Sequence, residues 1–375
     1  MNFSKMFKEA TGNQPFPYQQ RMAEAEEFPS LLEVPTGAGK TAAAILGWLW
    51  RRRFASDEIR QTTPRRLVYC LPMRVLVEQT WECAVTWLYN LELLGGSAVF
   101  DGSEEGRGLK SYEPFPDDSD DDPEKIRVHL LMGGEVDRDW DMYPERDAIL
   151  IGTQDMLLSR ALNRGYAMSR YRWPVQFGLL NNDCLWVMDE VQLMSNGLAT
   201  TTQLQAFRRL LGTSKGVRSI WMSATVRKDW LETVDFDVER DAPGFLELSD
   251  DDKKALKSRL EASKPVQMAD FTASEDGKTE AELLIKSHKA GTRSLMIANT
   301  VKRAQKIYNQ LKKLSFMELG EDETTGPSWL ARMLCLRDDP CHGPFRLAFV
   351  EAIIRIADWR ASAANANTVE GVKNV

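Results

Sequence analysis

The sequence predicts an α/β protein built on a doubly wound parallel sheet. Short, almost wholly apolar runs recur along the chain, as strands buried on both faces of a parallel sheet should. The early runs are each followed by a helical pattern, the order that produces parallel pairing. A glycine-rich turn, Val34-Pro35-Thr36-Gly37-Ala38-Gly39-Lys40-Thr41, joins the first such strand to the first such helix.

Residues 30–34 (SLLEV) read as a strand, and 41–53 (TAAAILGWLWRRR) as a helix rich in alanine and leucine, both strong helix formers. A strand at 66–72 (RLVYCLP) and a helix at 74–94 follow, then a strand at 148–153 (AILIGT) and a helix at 155–162 (DMLLSRAL). The strand at 184–190 (CLWVMDE) ends in two acids, and another strand is expected at 219–225 (SIWMSAT). The polar stretch 240–265 reads as a connection. A second α/β unit then begins, with a helix at 278–291, a strand at 293–299 and a helix at 300–314. After a break at 320–327 (GEDETTGP), Phe345, Ala348, Phe349, Ala352, Ile353 and Ile356 form one helical stripe. The last residues, 365–375, read as a frayed tail. The expected organisation is a first lobe at 1–240, a linker at 241–277, the start of a second lobe at 278–314 and a helical segment at 327–365.

With 375 residues, 43% hydrophobic and 27% charged, the chain is globular and has room for two domains. No apolar run approaches the ~20 residues of a membrane span, and the first residues lack the apolar core of a secretory signal. Five scattered cysteines without a CxxC pair fit a reduced, cytoplasmic protein. Cys335, Cys341 and His342 lack a fourth ligand at zinc spacing. The net charge of −7 argues against wholesale electrostatic binding of nucleic acid. It leaves room for a local track, and Arg51, Arg52, Arg53, Arg60, Arg65 and Arg66 are a basic neighbourhood. These arginines either complement a helix C-terminus or touch a nucleic-acid backbone. The acidic run 117–125 reads as a solvated insertion.

The glycine-rich turn carries the chemistry. A phosphate-binding loop follows GxxxxGK[ST]; here Val34 stands at the first glycine, and Gly39, Lys40 and Thr41 complete the pattern. Backbone N–H groups of Thr36, Gly37, Ala38 and Gly39, with the helix N-terminus behind them, would face phosphate oxygens. Lys40 would reach the β- and γ-phosphates of ATP, and Thr41 would ligate Mg²⁺. The strand ending in Asp189 and Glu190 supplies the complementary half: Asp189 for the Mg²⁺ shell, Glu190 to orient or deprotonate water.

These residues resemble superfamily 2 helicases. Asp189-Glu190-Val191-Gln192 looks like the DExH/D box. Ser223-Ala224-Thr225 looks like the SAT motif, implying that Ser223 and Thr225 link the ATP site to nucleic acid. Pro17-Tyr18-Gln19 looks like the Q motif, implying that Tyr18 and Gln19 meet the adenine. The resemblance implies a RecA-like P-loop NTPase lobe, an incomplete second RecA-like lobe, and ATP with Mg²⁺ as cofactors. Residues 69–80 resemble motif Ia, and "MGGE" (132–135) and "GTQDMLLSRAL" (152–162) resemble the next strand-contacting motifs. The implied contacts to nucleic acid are Arg74, Gln79, Gly133, Thr153 and Gln154. Residues 294–311 look like motif IV, with Asn299 and Thr300 at its turn. The stretch 186–209 is similar to the helicase–nuclease of type I CRISPR systems, subtype I-G (earlier I-U). That resemblance implies single-stranded DNA and an RNA-guided effector complex as partners.

The resemblance covers residues 10–311. The motif V and VI patterns of the family do not follow, and motif VI is the source of arginines at the γ-phosphate. Residues 347–365 look like the last helix of an HD nuclease, with Asp358 at its final metal ligand, but no histidine precedes an aspartate. The expectation is therefore ATP binding with weak or DNA-independent hydrolysis, no processive unwinding and no HD-type cutting. The alternatives are a non-catalytic decoy or regulatory protein and a lobe acting on RNA, because backbone contacts do not identify the sugar unless a 2′-OH is read.

Overall fold

The computed structural model describes residues 1–101, 108–114, 122–133, 135–136, 140–165, 168–261, 272–288 and 294–314. The chain divides into two compact units, 1–264 and 265–375.

The first unit opens with α1 (Phe3–Thr11) and α2 (Pro17–Glu24), followed by β1 (Leu31–Glu33), α3 (Lys40–Arg53), α4 (Asp57–Thr62), β2 (Arg66–Leu71) and α5 (Arg74–Asn90). A hairpin of β3 (Ser97–Phe100) and β4 (Leu109–Glu113) comes next, then β5 (Arg127–Met132), β6 (Glu135–Val136), β7 (Ala148–Thr153) and α6 (Gln154–Ala161). The unit continues through α7 (Trp173–Leu180), β8 (Cys184–Met188), α8 (Asn196–Leu211) and β9 (Val217–Ser223). It ends with α9 (Val238–Asp241), β10 (Phe245–Leu246), α10 (Asp250–Ala255) and α11 (Lys257–Leu260).

One sheet runs β10-β1-β9-β8-β2-β7-β5-β6. Every neighbouring pair is parallel except β5–β6, an antiparallel edge. The fold is thus the α/β, doubly wound parallel class that the apolar runs predict. Alternation along each central strand feeds two cores. Leu67, Tyr69, Leu71, Leu185 and Val187 point into the core shared with α1, α2, α3 and α5. Val68, Cys70, Cys184, Trp186 and Met188 point into the core shared with α6 and α8. Both faces being covered, β2 and β8 are buried along their whole length, which explains their lack of polar alternation.

The stretch 240–265, expected to be a connection, contributes to the first unit. Phe245 and Leu246 pair in parallel with Leu31 and Leu32, so β10 closes that edge of the sheet. Ser249 and Asp252 form a capping box on α10, and Asp252 holds Arg21 of α2 at 2.7 Å. A two-residue strand is too short to carry a periodic signal, which is why the text there reads as polar linker.

In the second unit, α12 (Lys278–Ser287) packs on α13 (Val301–Leu314). Gly277 lies at φ +84°, and a Cβ there would stand 2.9 Å from the Ile307 backbone nitrogen, so the two helices meet at a glycine. Glu280 pairs with Arg303 beneath them. The strand expected at 293–299 does not form: residues 294–298 are irregular, with Leu295 and Ile297 each 85% exposed. A strand needs a bonded neighbour, and the described residues of this unit supply none. The helical segment expected at 327–365, with Asp358, lies outside the described residues, as does most of the acidic run.

Candidate functional site

The glycine-rich turn leaves the C-terminal end of β1 and enters α3, as its composition predicts. Gly37 and Gly39 take φ +82° and +85°, the left-handed region that favours glycine. At Gly39 space demands it too, because a Cβ would lie 2.7 Å from Gln19 Nε2. Tyr18 and Gln19 grip this turn from α2. The Tyr18 hydroxyl donates to Ala38 O (2.8 Å), and Gln19 Nε2 donates to Gly39 O (2.9 Å) while its Oε1 accepts from Phe16 N (2.8 Å). Carbonyl and N–H of one trans peptide point opposite ways. Holding these carbonyls toward α2 turns the N–H groups of Gly39 and Lys40 away from it. Gly39, the N-cap of α3, makes no side-chain capping bond, so the helix N-terminus keeps donors for an anion.

Lys40 is buried, 6% exposed, with Nζ donating to Val34 O at 3.2 Å. Its ammonium stands 3.5 Å from Glu190 Oε1. Glu190 itself sits at φ +51°, an unusual conformation for a residue with a side chain, at the turn leaving β8. From Glu190 a polar chain runs onward. Gln192 Nε2 donates to Glu190 Oε2 (2.5 Å), the Ser223 hydroxyl donates to Gln192 Oε1 (2.7 Å), and Thr225 N donates to Ser223 Oγ (3.0 Å). The sheet register builds this chain: β9 lies between β1 and β8, and Ser223 stands opposite Glu33.

Asp189 is held from three sides. Its amide donates to Cys70 O (3.1 Å), its Oδ1 accepts from Glu190 N (2.8 Å), and its Oδ2 accepts from the Tyr69 hydroxyl (2.7 Å). Burial raises its pKa above the ordinary carboxylate value, against the opposing pull of Tyr69 and Lys40. Tyr69 is pushed well above its usual value, first by burial and then by the Asp189 charge.

The arrangement fits a triphosphate with a divalent cation. A Cβ placed on Gly37 would meet nothing within 4 Å beyond its chain neighbours, the helix end offers donors, and Lys40 supplies a buried cation. Among the described residues no group of three His, Cys, Asp or Glu could cage a metal ion. Thr41 and Asp189 are a pair of hard oxygen donors, the sparse protein set of a Mg²⁺ that takes its other ligands from phosphates and water.

A second concavity of about 820 Å³ opens beside this site, lined by Arg74, Gly133, Thr153, Gln154, Ser195 and Asn196 among others. Three helices, α5, α6 and α8, begin on it. Their N-caps, Met73, Thr153 and Ser195, make no side-chain capping bonds, so α5 and α6 leave backbone donors at the cleft, whereas in α8 Gly197 N and Leu198 N already donate to Met194 O and Ser195 O. Gly197 lets α8 approach α6, since a Cβ there would sit 2.4 Å from Gln154 Oε1. That oxygen is buried without a partner. Four of the expected contact residues, Arg74, Gly133, Thr153 and Gln154, thus come together. Gln79 does not join them; it is exposed on the second turn of α5. Asn299 and Thr300 belong to the second unit, where both are exposed and Thr300 Oγ1 accepts from Arg303 N (3.2 Å) at the start of α13.

The basic neighbourhood has a structural use. Arg52 and Arg53 pair with Asp147 at 2.9 and 3.0 Å, Arg65 pairs with Asp183 at 3.3 Å, and Arg66 donates to the carbonyls of Pro144 and Asn182. Sequence reading missed Tyr69 and Gly197, and it placed Gln192 in the DExH/D-like box without a role of its own. The only signal at Tyr69 is one hydroxyl inside an otherwise apolar strand.

No family model and no curated protein matches the chain. Among solved structures, S. cerevisiae Dbp5 bound to Gle1 and IP6 matches 84% of this chain and 64% of its own, at 17% identity and a TM-score of 0.47. The DUF1998 helicase MrfA matches over 89% and 44%, at 16% identity and 0.47. Mss116p bound to ssRNA and AMP-PNP matches over 60% and 39%, at 17% identity and 0.36. The chain spans less than two thirds of the length of each.

Proposed function

We propose that the chain is an ATP-binding, helicase-type motor lobe that grips the backbone of single-stranded nucleic acid and couples that grip to the nucleotide. The single observation that carries this is the continuous polar chain from Lys40 through Glu190 and Gln192 to Ser223 and Thr225. A merely structural glycine-rich turn has no use for a buried lysine facing an acid on another strand end.

In this reading Gly37, Ala38, Gly39 and the α3 N-terminus receive phosphates, and Lys40 exchanges the Glu190 carboxylate for a phosphate oxygen. Thr41 and Asp189 would hold Mg²⁺, which when bound would neutralise charge at the transferring phosphoryl group. Glu190, freed from Lys40, orients water and accepts its proton. Tyr18 and Gln19 border the base. The uncapped N-termini of α5 and α6, with Arg74, hold phosphodiesters without reading bases. By the family resemblance, Gln79 on α5 and, within the second unit, Asn299 and Thr300 are further candidates for contact with nucleic acid.

The resemblance of residues 186–209 to the type I CRISPR helicase–nuclease favours DNA and an RNA-guided effector complex as partners. The family's motif VI arginines are not found in the sequence, which supports weak turnover.

The test is nucleotide binding by the whole chain, followed by steady-state ATP hydrolysis with and without matched single strands of DNA and RNA. Lys40→Ala abolishes nucleotide binding if the phosphate loop is read correctly, and unchanged affinity in that variant removes the reading. Stimulation by DNA supports a motor. Nucleic-acid binding without stimulation supports the decoy, and preference for RNA overturns the DNA assignment.

A further inference from the structure

Ala38 O and Gly39 O are held by Tyr18 and Gln19, both in the stretch that resembles the Q motif. The carbonyl before them, Gly37 O, accepts a hydrogen bond from the Arg259 guanidinium of α11. That guanidinium also lies 5.4 Å over the centre of the Phe16 ring, and Phe16 N is bonded to Gln19. Three successive carbonyls of the phosphate loop are therefore held by three side chains, and the third comes from more than 200 residues further along the chain.

The path that brings Arg259 there is built. After β10 pairs with β1, the Ser249–Asp252 capping box turns the chain over α2. Asp252, fully buried, pairs with Arg21 at 2.7 Å, and Leu256, 1% exposed, packs into the same core as Tyr18 and Ala38. These anchors fix α11 beside the loop. Arg259 itself is exposed, so its contacts add little to the core and its removal leaves that core whole.

We propose that Arg259 is a positioning residue for the phosphate loop: it pins the Gly37–Ala38 peptide so that the loop meets phosphates already shaped. A lysine donates from a single flexible ammonium, whereas the planar guanidinium donates to the carbonyl and stacks on Phe16 at once. The segment 245–261 thereby becomes part of the nucleotide site. The inference rests on the nucleotide-binding function proposed above.

The test compares wild type, Arg259→Ala and Arg259→Lys, full chain, for affinity to ATP and to inorganic tripolyphosphate, which has no base. Arg259→Ala should weaken both ligands by a similar factor, about tenfold, the loss of one charge-assisted bond. Arg259→Lys should recover only part of the loss. Millimolar guanidinium, but not urea, should restore the alanine variant, while its ligand-free melting temperature stays that of wild type. Unchanged affinity overturns the proposal, as does a loss confined to ATP, which would place Arg259 at the base instead. A lowered ligand-free melting temperature that guanidinium does not mend also overturns it. Lys40→Ala is measured alongside: if it still binds both ligands, the nucleotide site itself was misassigned, an outcome distinct from any of these.

Discussion

The Lys40 ammonium lies 3.5 Å from the Glu190 carboxylate, although Lys40 opens α3 and Glu190 follows β8. A phosphate arriving at the loop competes with Glu190 for that cation. Glu190→Gln removes the competitor's charge and the candidate base together. Nucleotide affinity should hold or rise, and hydrolysis should fall about 100-fold or more. Equilibrium ATP binding with single-turnover hydrolysis separates the two effects, and hydrolysis at the wild-type rate would show that Glu190 handles no proton.

The Ser223 hydroxyl donates to Gln192 and its oxygen accepts from Thr225 N, so one side chain links the turn after β8 to the turn after β9. Ser223→Ala cuts this chain without altering the phosphate loop. Affinities for nucleotide and for single strands should each stay within about threefold of wild type, a change under 1 kcal/mol. Stimulation of hydrolysis by nucleic acid should be lost. Stimulation that survives in the alanine variant would mean that coupling runs by another route.

The parallel sheet and the glycine-rich turn into α3 were legible because both are local signals: buried strands read as apolar runs, and Gly39-Lys40-Thr41 is contiguous. The site's connectivity was not. Tyr69 touches Asp189 across 120 positions and Arg259 touches Gly37 across 222, and no periodicity reports such pairings. Strand β10 was missed because two residues make no pattern. The apolar run Leu295–Ile297 misled in the other direction, since composition promises a strand but only a neighbouring edge can complete one. The arginines after Trp50 read as a charge cluster, yet Asp147, the acid that neutralises Arg52 and Arg53, lies far along the chain.

The cleft where α5, α6 and α8 begin allows backbone binding to be separated from nucleotide binding. Arg74→Ala should weaken binding to all single-stranded sequences about equally and reduce the salt dependence of affinity by about one counterion. Gly197→Ala drives a methyl against the Gln154 side chain and should weaken the same binding more strongly. ATP affinity should be untouched in both. Fluorescence anisotropy across a salt series reads these effects; a sequence-dependent loss for Arg74→Ala would show base reading in place of backbone contact.

Asp189 carries a pH dependence whose sign follows from its burial. The buried site raises its pKa from the ordinary 3.8, so the unfolded chain ionises this carboxyl at lower pH than the folded chain does. Below about 3.8 both states keep the proton and the group costs no stability. As pH rises from there through the raised folded value, the folded protein must ionise a carboxyl that burial disfavours, and the stability present at low pH is lost. Asp189→Asn removes that loss while still accepting from Glu190 N and meeting the Tyr69 hydroxyl. Ligand-free Asp189→Asn should therefore melt above wild type at pH 7, by ~2–4 °C for each kcal/mol relieved, and the gap should close toward pH 4. With ATP and Mg²⁺ added the order should reverse, because a divalent cation favours the ionised carboxylate and the amide cannot supply it. Melting curves at both pH values, with and without Mg²⁺, decide the matter: a variant that melts below wild type at pH 7 without ligand would mean that the Tyr69 and Lys40 contacts outweigh burial.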